Sequence, residues 1–444
     1  MNAREAALRA LMLGGDAAGS LDRMLASSRL DGRDRAFATE LAHGTLKRRR
    51  TLEWSVQTCL KRPLDKLDPL LRWILLLGAY QLLFLQRVPA HSAVDESVDL
   101  ARRLGHAGLA ATANAVLRRL SRERPLPPPP TPQGGAAALG PYASLPDWIA
   151  QALIDRFGFD EAVKAAQGLL APPRRALRVD TTKWSAAEAS QALMSAGFET
   201  TPSTYGIPEC LILTGTARGD RRSLEACFAD GRLTTQSEES QFAVHLLDPH
   251  EGERILDVCA GRGVKTGGIA TRLRGHGAIL AVDDDAVKLG ALSDASKRFA
   301  TPVQIVRADA RREYAPDVKT MDAALVDAPC SGLGIIGRRA DARWRKDQQD
   351  PARFVPVQRD ALVHAAEHVR PGGRLLYVTC SISPLEDEDI VAEFLRAHPQ
   401  WRARRLQVPP GASAVTQLGD HLLSEPGING SDGFFYALLE RLPA

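Results

Sequence analysis

From about residue 241 to the C-terminus, short apolar runs alternate with stretches of helical pattern, and this constrains the fold more than any other feature. The runs fall at 254–259, 278–283, 303–307, 322–327 and 374–379, and 434–439 reads as a final strand. Strands and helices in strict alternation predict an α/β architecture with a doubly wound, mostly parallel sheet. In such a sheet the ligand crevice lies outside the carboxyl ends of the strands. Residues just past each run are therefore the candidates for chemistry.

The rest of the 444-residue chain does not alternate in this way, and two or three domains are expected at this length. In residues 1–120 apolar side chains recur at helical spacing, as in Ala7, Leu8, Leu11 and Met12, then Leu70, Leu71, Ile74, Leu75 and Leu77. This predicts an all-α domain. A run containing Pro125, Pro127, Pro128, Pro129, Pro130, Pro132, Gly134 and Gly135 reads as an interdomain linker over 121–143, unable to pack as helix or strand. Residues 144–240 are mixed, with helices expected at 146–157 and 186–196 and a strand at Leu177-Arg178-Val179. They predict a small α+β subdomain ahead of the sheet domain at 241–444.

The net charge of +4, from 57 basic and 53 acidic residues, does not by itself announce nucleic acid. The basic residues are clustered, at Lys47-Arg48-Arg49-Arg50, at Arg307 with Arg311 and Arg312, and from Arg338 and Arg339 through Arg343, Arg345 and Lys346. Such clusters suit phosphates, although a solvated charged face is their commoner use. The six cysteines are scattered, without a CxxC or a zinc-like Cys/His spacing, so no metal and no disulfide framework are expected. The N-terminus lacks a signal-peptide core, and the apolar stretch 73–85, which contains Gln81, is too short to span a bilayer and reads as a buried helix. A soluble, cytoplasmic monomer without membrane contact is expected.

The first strand of the alternation runs into Leu256-Asp257-Val258-Cys259-Ala260-Gly261-Arg262-Gly263-Val264-Lys265-Thr266. Glycines at a strand-to-helix turn let the backbone approach a ligand, and the helix start offers free N–H groups. The loop completes neither the dinucleotide fingerprint nor the P-loop, which disfavours a dinucleotide oxidoreductase. The next strand ends in Asp283, which suits ribose hydroxyls or, equally, the cap of the following helix. A third ends before Asp309, suited to an adenine amino group. Loop, ribose acid and adenine acid in that order describe a crevice for S-adenosylmethionine.

Two further strands each deliver a cysteine, in Asp327-Ala328-Pro329-Cys330-Ser331-Gly332 and in Thr379-Cys380-Ser381. A lone cysteine is usually packing, being among the most buried residue types. Two in one crevice, one beside an acid, point to thiolate chemistry. Carbon 5 of cytosine is a poor nucleophile until a thiolate adds at carbon 6, and such an enzyme needs a nucleophilic Cys, a polar group at the N3 edge and help with elimination. Asp327 suits the N3 edge, one cysteine attacks and the other assists release.

With these residues in view, the chain resembles the RsmB/Sun family of RNA cytosine-C5 methyltransferases over nearly its whole length. The resemblance implies a class I S-adenosylmethionine-dependent, Rossmann-like methyltransferase domain. It implies Cys380 as nucleophile, Cys330 in product release, and cofactor contacts from Cys259, Ala260, Gly261, Arg262, Gly263, Val264, Lys265, Asp283, Asp309 and Asp327. Asp34-Arg35-Ala36-Phe37, His43-Gly44-Thr45-Leu46, Leu77-Gly78-Ala79-Tyr80-Gln81-Leu82 and Asn114-Ala115-Val116-Leu117-Arg118 are similar to a NusB-like helical domain, implied to help bind RNA. Arg178 and residues 231–236 resemble the family's small RNA-contacting subdomain. The implied substrate is a cytosine of small-subunit (16S) ribosomal RNA before the subunit is fully assembled.

The family loop C-A-A-P-G-G-K-T reads C-A-G-R-G-V-K-T here. Val264 is β-branched and resists φ > 0, so altered cofactor binding is expected if the family glycine has a positive φ. The family's E-N-E reads Glu386-Asp387-Glu388. Two other readings compete. One is the same chemistry on transfer RNA or another RNA. The other is a non-catalytic RNA-binding assembly factor, against which retention of both cysteines and Asp327 weighs.

Overall fold

The computed structural model describes the chain apart from residues 15–16, 27, 216–218, 313, 315–319 and 444. It divides into two compact units, Met1–Ala171 with Ile336–Gln348, and Pro172–Ile335 with Gln349–Ala444.

The first unit is helical: α1 Ala3–Leu13, α2 Ala17–Ala26, α3 Gly32–Lys47, α4 Arg49–Thr58, α5 Pro69–Phe84, α6 Ala90–Leu104, α7 Ala107–Glu123, α8 Gly135–Ala143, α9 Asp147–Phe157 and α10 Phe159–Gly168. Helix α5 is its axis. Asp68 accepts from the N–H groups of Leu70 and Leu71, and Pro69 occupies the first turn, where its missing N–H costs nothing. The residues that follow are buried on nearly every face, as a helix apolar all round must be. Each fully buried leucine here contributes about 1.5–3 kcal/mol. No helix among the described residues is long and apolar enough to cross a membrane.

Two expectations are corrected in this unit. The Pro/Gly/Ala run does not stay irregular: a short 3-10 turn at Pro132–Gly134 leads into α8, and Leu139, Gly140 and Ala143 are buried. The basic clusters are largely spent on the fold. Lys47 donates to the Ala171 carbonyl, Arg48 stacks over Phe84, Arg49 pairs with Glu53, and Arg50 pairs with Asp147. Arg343, on the short helix Ala342–Arg345, is fully buried and donates to the carbonyls of Ser144, Leu169 and Ile336. Its neighbour Trp344 donates to the Leu46 carbonyl at 2.7 Å.

The second unit holds two sheets. A four-stranded antiparallel sheet is built from β1 Arg175–Val179, β2 Glu199–Pro202, β3 Cys210–Thr214 and β4 Leu233–Thr235, in the order β2-β3-β1-β4. The large sheet has nine strands: β5 Arg254–Val258, β6 Ala278–Asp283, β7 Val303–Arg307, β8 Met321–Asp327, β9 Val369–Thr379, β10 Trp401–Arg404, β11 Val415–Leu418, β12 His421–Ser424 and β13 Phe435–Arg441. Strands β7-β6-β5-β8-β9 pair in parallel in that order. Their central members are buried on both faces, which is why they read as unbroken apolar runs. The parallel part makes up five of the nine strands. Beyond β9, β13 pairs antiparallel, and β12, β11 and β10 extend that side. Phe242 joins the two sheets, meeting Tyr205 and Tyr436 edge-on at centroid distances of 5.0 and 5.2 Å.

The strand order reverses between β5 and β8. That switch point opens the crevice at the carboxyl ends of the parallel strands.

Candidate active site

The turn from β5 into the helix Val264–Leu273 requires three residues with positive φ: Cys259 at +62°, Gly261 at +58° and Gly263 at +80°. A Cβ on Gly263 would come within 2.2 Å of Leu292. Glycine is thus required there twice over, by backbone and by contact. Val264 is the first helical residue and is not among the positive-φ positions. The expected conflict between its β-branch and the loop does not arise, because the demand for positive φ falls on the residue before it. Cys259, a non-glycine in the left-handed region, carries the loop's backbone strain.

Asp283 ends β6 and is 6% exposed. Its carboxylate accepts from the Gly261 and Asp285 N–H groups, both at 2.9 Å. The following helix is capped by Asp285, which accepts from Val287 and Lys288. Asp283 is therefore not the cap; it ties the glycine loop to the neighbouring strand.

A cleft of about 510 Å³ lies over these strand ends. Of the sequence-predicted residues, Cys259, Gly261, Asp283, Asp309, Asp327, Cys330 and Cys380 line it. Ala260, Arg262, Gly263, Val264 and Lys265 do not. Arg262, Gly263 and Val264 face a second, smaller cavity behind the loop. Lys265 instead reaches Asp327, Nζ to Oδ2 at 2.6 Å, and lies 5.5 Å from the Phe434 ring centroid. Asp309 is held by Arg311 at 2.7 Å, which brings its carboxyl down to about 2. Lys288, Arg311, Phe354 and Val357 also line the cleft and were not singled out from the sequence. Phe354 and Val357 belong to the helix Asp350–His368, whose apolar positions carry no motif to distinguish cleft from core.

The two cysteines meet. Cys330 Sγ is 3.2 Å from Cys380 Sγ. Their loops leave adjacent parallel strands, and Gly334 N donates to the Cys380 carbonyl at 3.0 Å. The contact with Cys380 pushes the Cys330 thiol well above its ordinary value, and burial adds to it.

Beneath the pair lies a residue that sequence reasoning did not assign a role. Glu386 is fully buried and accepts from Ser331 N at 2.7 Å, Ser331 Oγ and Ser381 Oγ at 2.5 Å each, and Gln358 Nε2 at 3.1 Å. Ser331 and Ser381 each follow one of the cysteines. One carboxylate thus ties both cysteine loops together, and Gln358 also donates to the Pro329 carbonyl.

Arg178, expected in the RNA-contacting subdomain, lies behind the glycine loop. It is 6% exposed and donates through Nη1 to Gln236 and to the Val264 carbonyl. It supports the glycine loop from behind.

The arrangement agrees with what the chain is similar to. A family profile described as 16S rRNA methyltransferase RsmB/F matches residues 244–440, the NusB family matches 1–122, and the RsmF/B-like ferredoxin-like domain matches 145–218. A Synechocystis protein named probable ribosomal RNA small subunit methyltransferase B is 34% identical, over 95% of this chain and 94% of its own length. The chain belongs to the RsmB/F methyltransferase family. A Vibrio cholerae family member named ribosomal RNA small subunit methyltransferase B is 32% identical over 99% of this chain and 98% of its own. Among solved structures, that of PH0851 covers 99% of this chain and 98% of its own, at 25% identity and a TM-score of 0.78. Residues 1–122 are accordingly the NusB-like part of an RsmB/F methyltransferase, and the large sheet its Rossmann-like part.

Proposed function

We propose that the protein methylates carbon 5 of a cytosine in small-subunit ribosomal RNA, with S-adenosylmethionine as methyl donor and Cys380 as nucleophile. The observation that carries this reading is the 3.2 Å approach of the Cys330 and Cys380 sulfurs in a cleft also lined by Asp283 and Asp309. The names of the full-length relatives support the choice of RNA.

The cleft fits a nucleoside carrying an amino-acid tail. Asp283 and Asp309 supply acceptors from successive strands, and the positive-φ loop allows close approach of the backbone at Cys259 and Gly261. S-adenosylmethionine supplies an electrophilic methyl group there. The Cys380 thiolate adds to carbon 6 of the cytosine, which turns carbon 5 into an enamine-like nucleophile. The Cys330 thiol stabilises that thiolate by donating to it before attack. Asp327, held in place by Lys265, faces the N3 edge of the ring. After methyl transfer a base takes the carbon-5 proton, the bond from sulfur to carbon 6 breaks, and Cys330 assists this release.

The test is transfer of labelled methyl to protein-free small-subunit ribosomal RNA, wild type beside Cys380→Ala. Label at cytosine carbon 5 with wild type only is the expected result. No label with wild type overturns the proposed activity, and equal label with the variant overturns the proposed nucleophile.

A further inference from the structure

Behind the glycine loop lies a cavity of about 90 Å³, separate from the cofactor cleft. Its walls carry Arg178, Lys183, Arg262 and Arg298, with Asp180 as the one acid. Asp180 is matched by Lys183, Nζ to Oδ2 at 3.1 Å. The three arginines have no ion pair among the described residues. Asp285 acts on Arg262, and Asp294 on Arg298, only at longer range. Arg178 forms the inner wall; its guanidinium is taken out of water without a direct ion pair, and Asp180 and Glu209 act on it only at longer range. The cavity has room for several water molecules, hence for a phosphate-sized group, but not for a nucleoside.

The neighbouring backbone is shaped to match. Gly231 has φ +74°, and a Cβ there would meet Arg298 at 3.2 Å and Lys183 at 3.3 Å. Glycine lets the chain turn close to these cationic stems. Lys183 in turn donates to the Arg298 carbonyl at 2.9 Å, and Arg298 reaches the Ala229 carbonyl, so the small sheet and the large one hold the cluster jointly. Arg262 stands where the family has proline, on the exposed shoulder of the same cavity.

We infer that this cavity is a seat for a backbone phosphate of the RNA substrate, held by Arg262 and Arg298 at the rim over Arg178. The inference rests on the reading of the substrate as RNA. It gives the altered loop a purpose: Arg262 faces away from the cofactor cleft and toward the nucleic acid.

The experiment measures equilibrium binding of a protein-free small-subunit ribosomal RNA fragment as salt rises from about 50 to 200 mM, for wild type, Arg262→Gln, Arg298→Gln, the double variant and Arg298→Lys. Each lost phosphate contact lowers the slope of log affinity against log salt by about 0.7–0.9, so the loss of affinity over that range shrinks roughly threefold per contact. Arg298→Lys keeps the charge and should keep the slope. Neither arginine lines the cofactor cleft, so S-adenosylmethionine affinity should hold throughout. An unchanged slope in the double variant overturns the inference while leaving the proposed activity standing. Parallel loss of RNA and S-adenosylmethionine binding also overturns it, because the arginines would then be supports of the loop. Wild type that binds no RNA overturns both readings.

Discussion

Cys330 Sγ lies 3.2 Å from Cys380 Sγ, though 50 residues separate them in the chain. Two thiols this close divide the labour. The contact with Cys380, with burial, raises the Cys330 thiol, which suits Cys330 poorly to attack. Cys380→Ala should abolish methyl transfer. Cys330→Ala should still attack but stall at elimination, leaving a covalent protein–RNA adduct visible on a denaturing gel. A Cys330→Ala protein that turns over normally without an adduct removes that role.

Glu386 offers a separate test of how the pair is held. Its carboxylate binds the residue after each cysteine, and neither of its oxygens lines the cofactor cleft. Glu386→Ala strands buried donors on Ser331 and Ser381, at about 1–3 kcal/mol for each group left unsatisfied. The expected outcome is a fall of at least about tenfold in kcat with S-adenosylmethionine affinity unchanged. Glu386→Gln keeps one acceptor and should recover part of the loss. Equal loss of kcat and of cofactor affinity would make Glu386 a general support of the fold rather than a positioning residue.

For Asp283 the prediction concerns binding alone. The carboxylate accepts two backbone N–H groups and still lines the cleft, so lone pairs remain for ribose hydroxyls. Asp283→Asn should weaken S-adenosylmethionine binding by about 1.5–3 kcal/mol, the worth of charged hydrogen bonds. Calorimetric titration reads it. An unchanged dissociation constant would mean that Asp283 only tethers the loop at Gly261.

How far such features are legible in the sequence depends on where their partners lie. The central parallel strands are buried on both faces, so each stands out as an apolar run, and the residue that follows it falls at the crevice without further information. Asp283, Asp327, Cys330 and Cys380 are found that way. Strands β10, β11 and β12 have four residues each, too few for an apolar run to mark them. Glu386 sits among Asp387, Glu388 and Asp389, and the match to the family's E-N-E gives it no role. Its burial depends on Ser331 and Gln358, which are 55 and 28 residues away. Arg343 misleads in the same way. A basic cluster looks like surface, and only the carbonyls of Ser144 and Leu169 reveal a buried guanidinium. Val264 is a subtler case: one residue of register decides whether a β-branched side chain meets a positive φ or an ordinary helical turn.

The last prediction concerns Asp257, which lies within β5 beneath the glycine loop with no exposed surface. Its Oδ2 accepts from Thr266 Oγ1 at 2.5 Å, and Oδ1 has no hydrogen-bond partner among the described residues. Burial pushes its carboxyl up to about 7, and the charge of Asp327 adds to the shift. In the unfolded chain the same group titrates at about 3.9. Between those values the folded protein holds a proton that the unfolded chain has released. Its contribution to stability is thus full below about pH 4 and is lost as pH rises to about 7, at up to about 1.4 kcal/mol per pH unit. Asp257→Asn keeps an acceptor for Thr266 and removes the titration. The stability of the variant relative to wild type should therefore climb from about pH 4.5 to 7 and level off above. Urea unfolding of both proteins across that range reads the difference directly. A difference that stays flat with pH would show that Asp257 is already ionised in the folded protein, with Lys265 or Thr266 offsetting the cost of its burial.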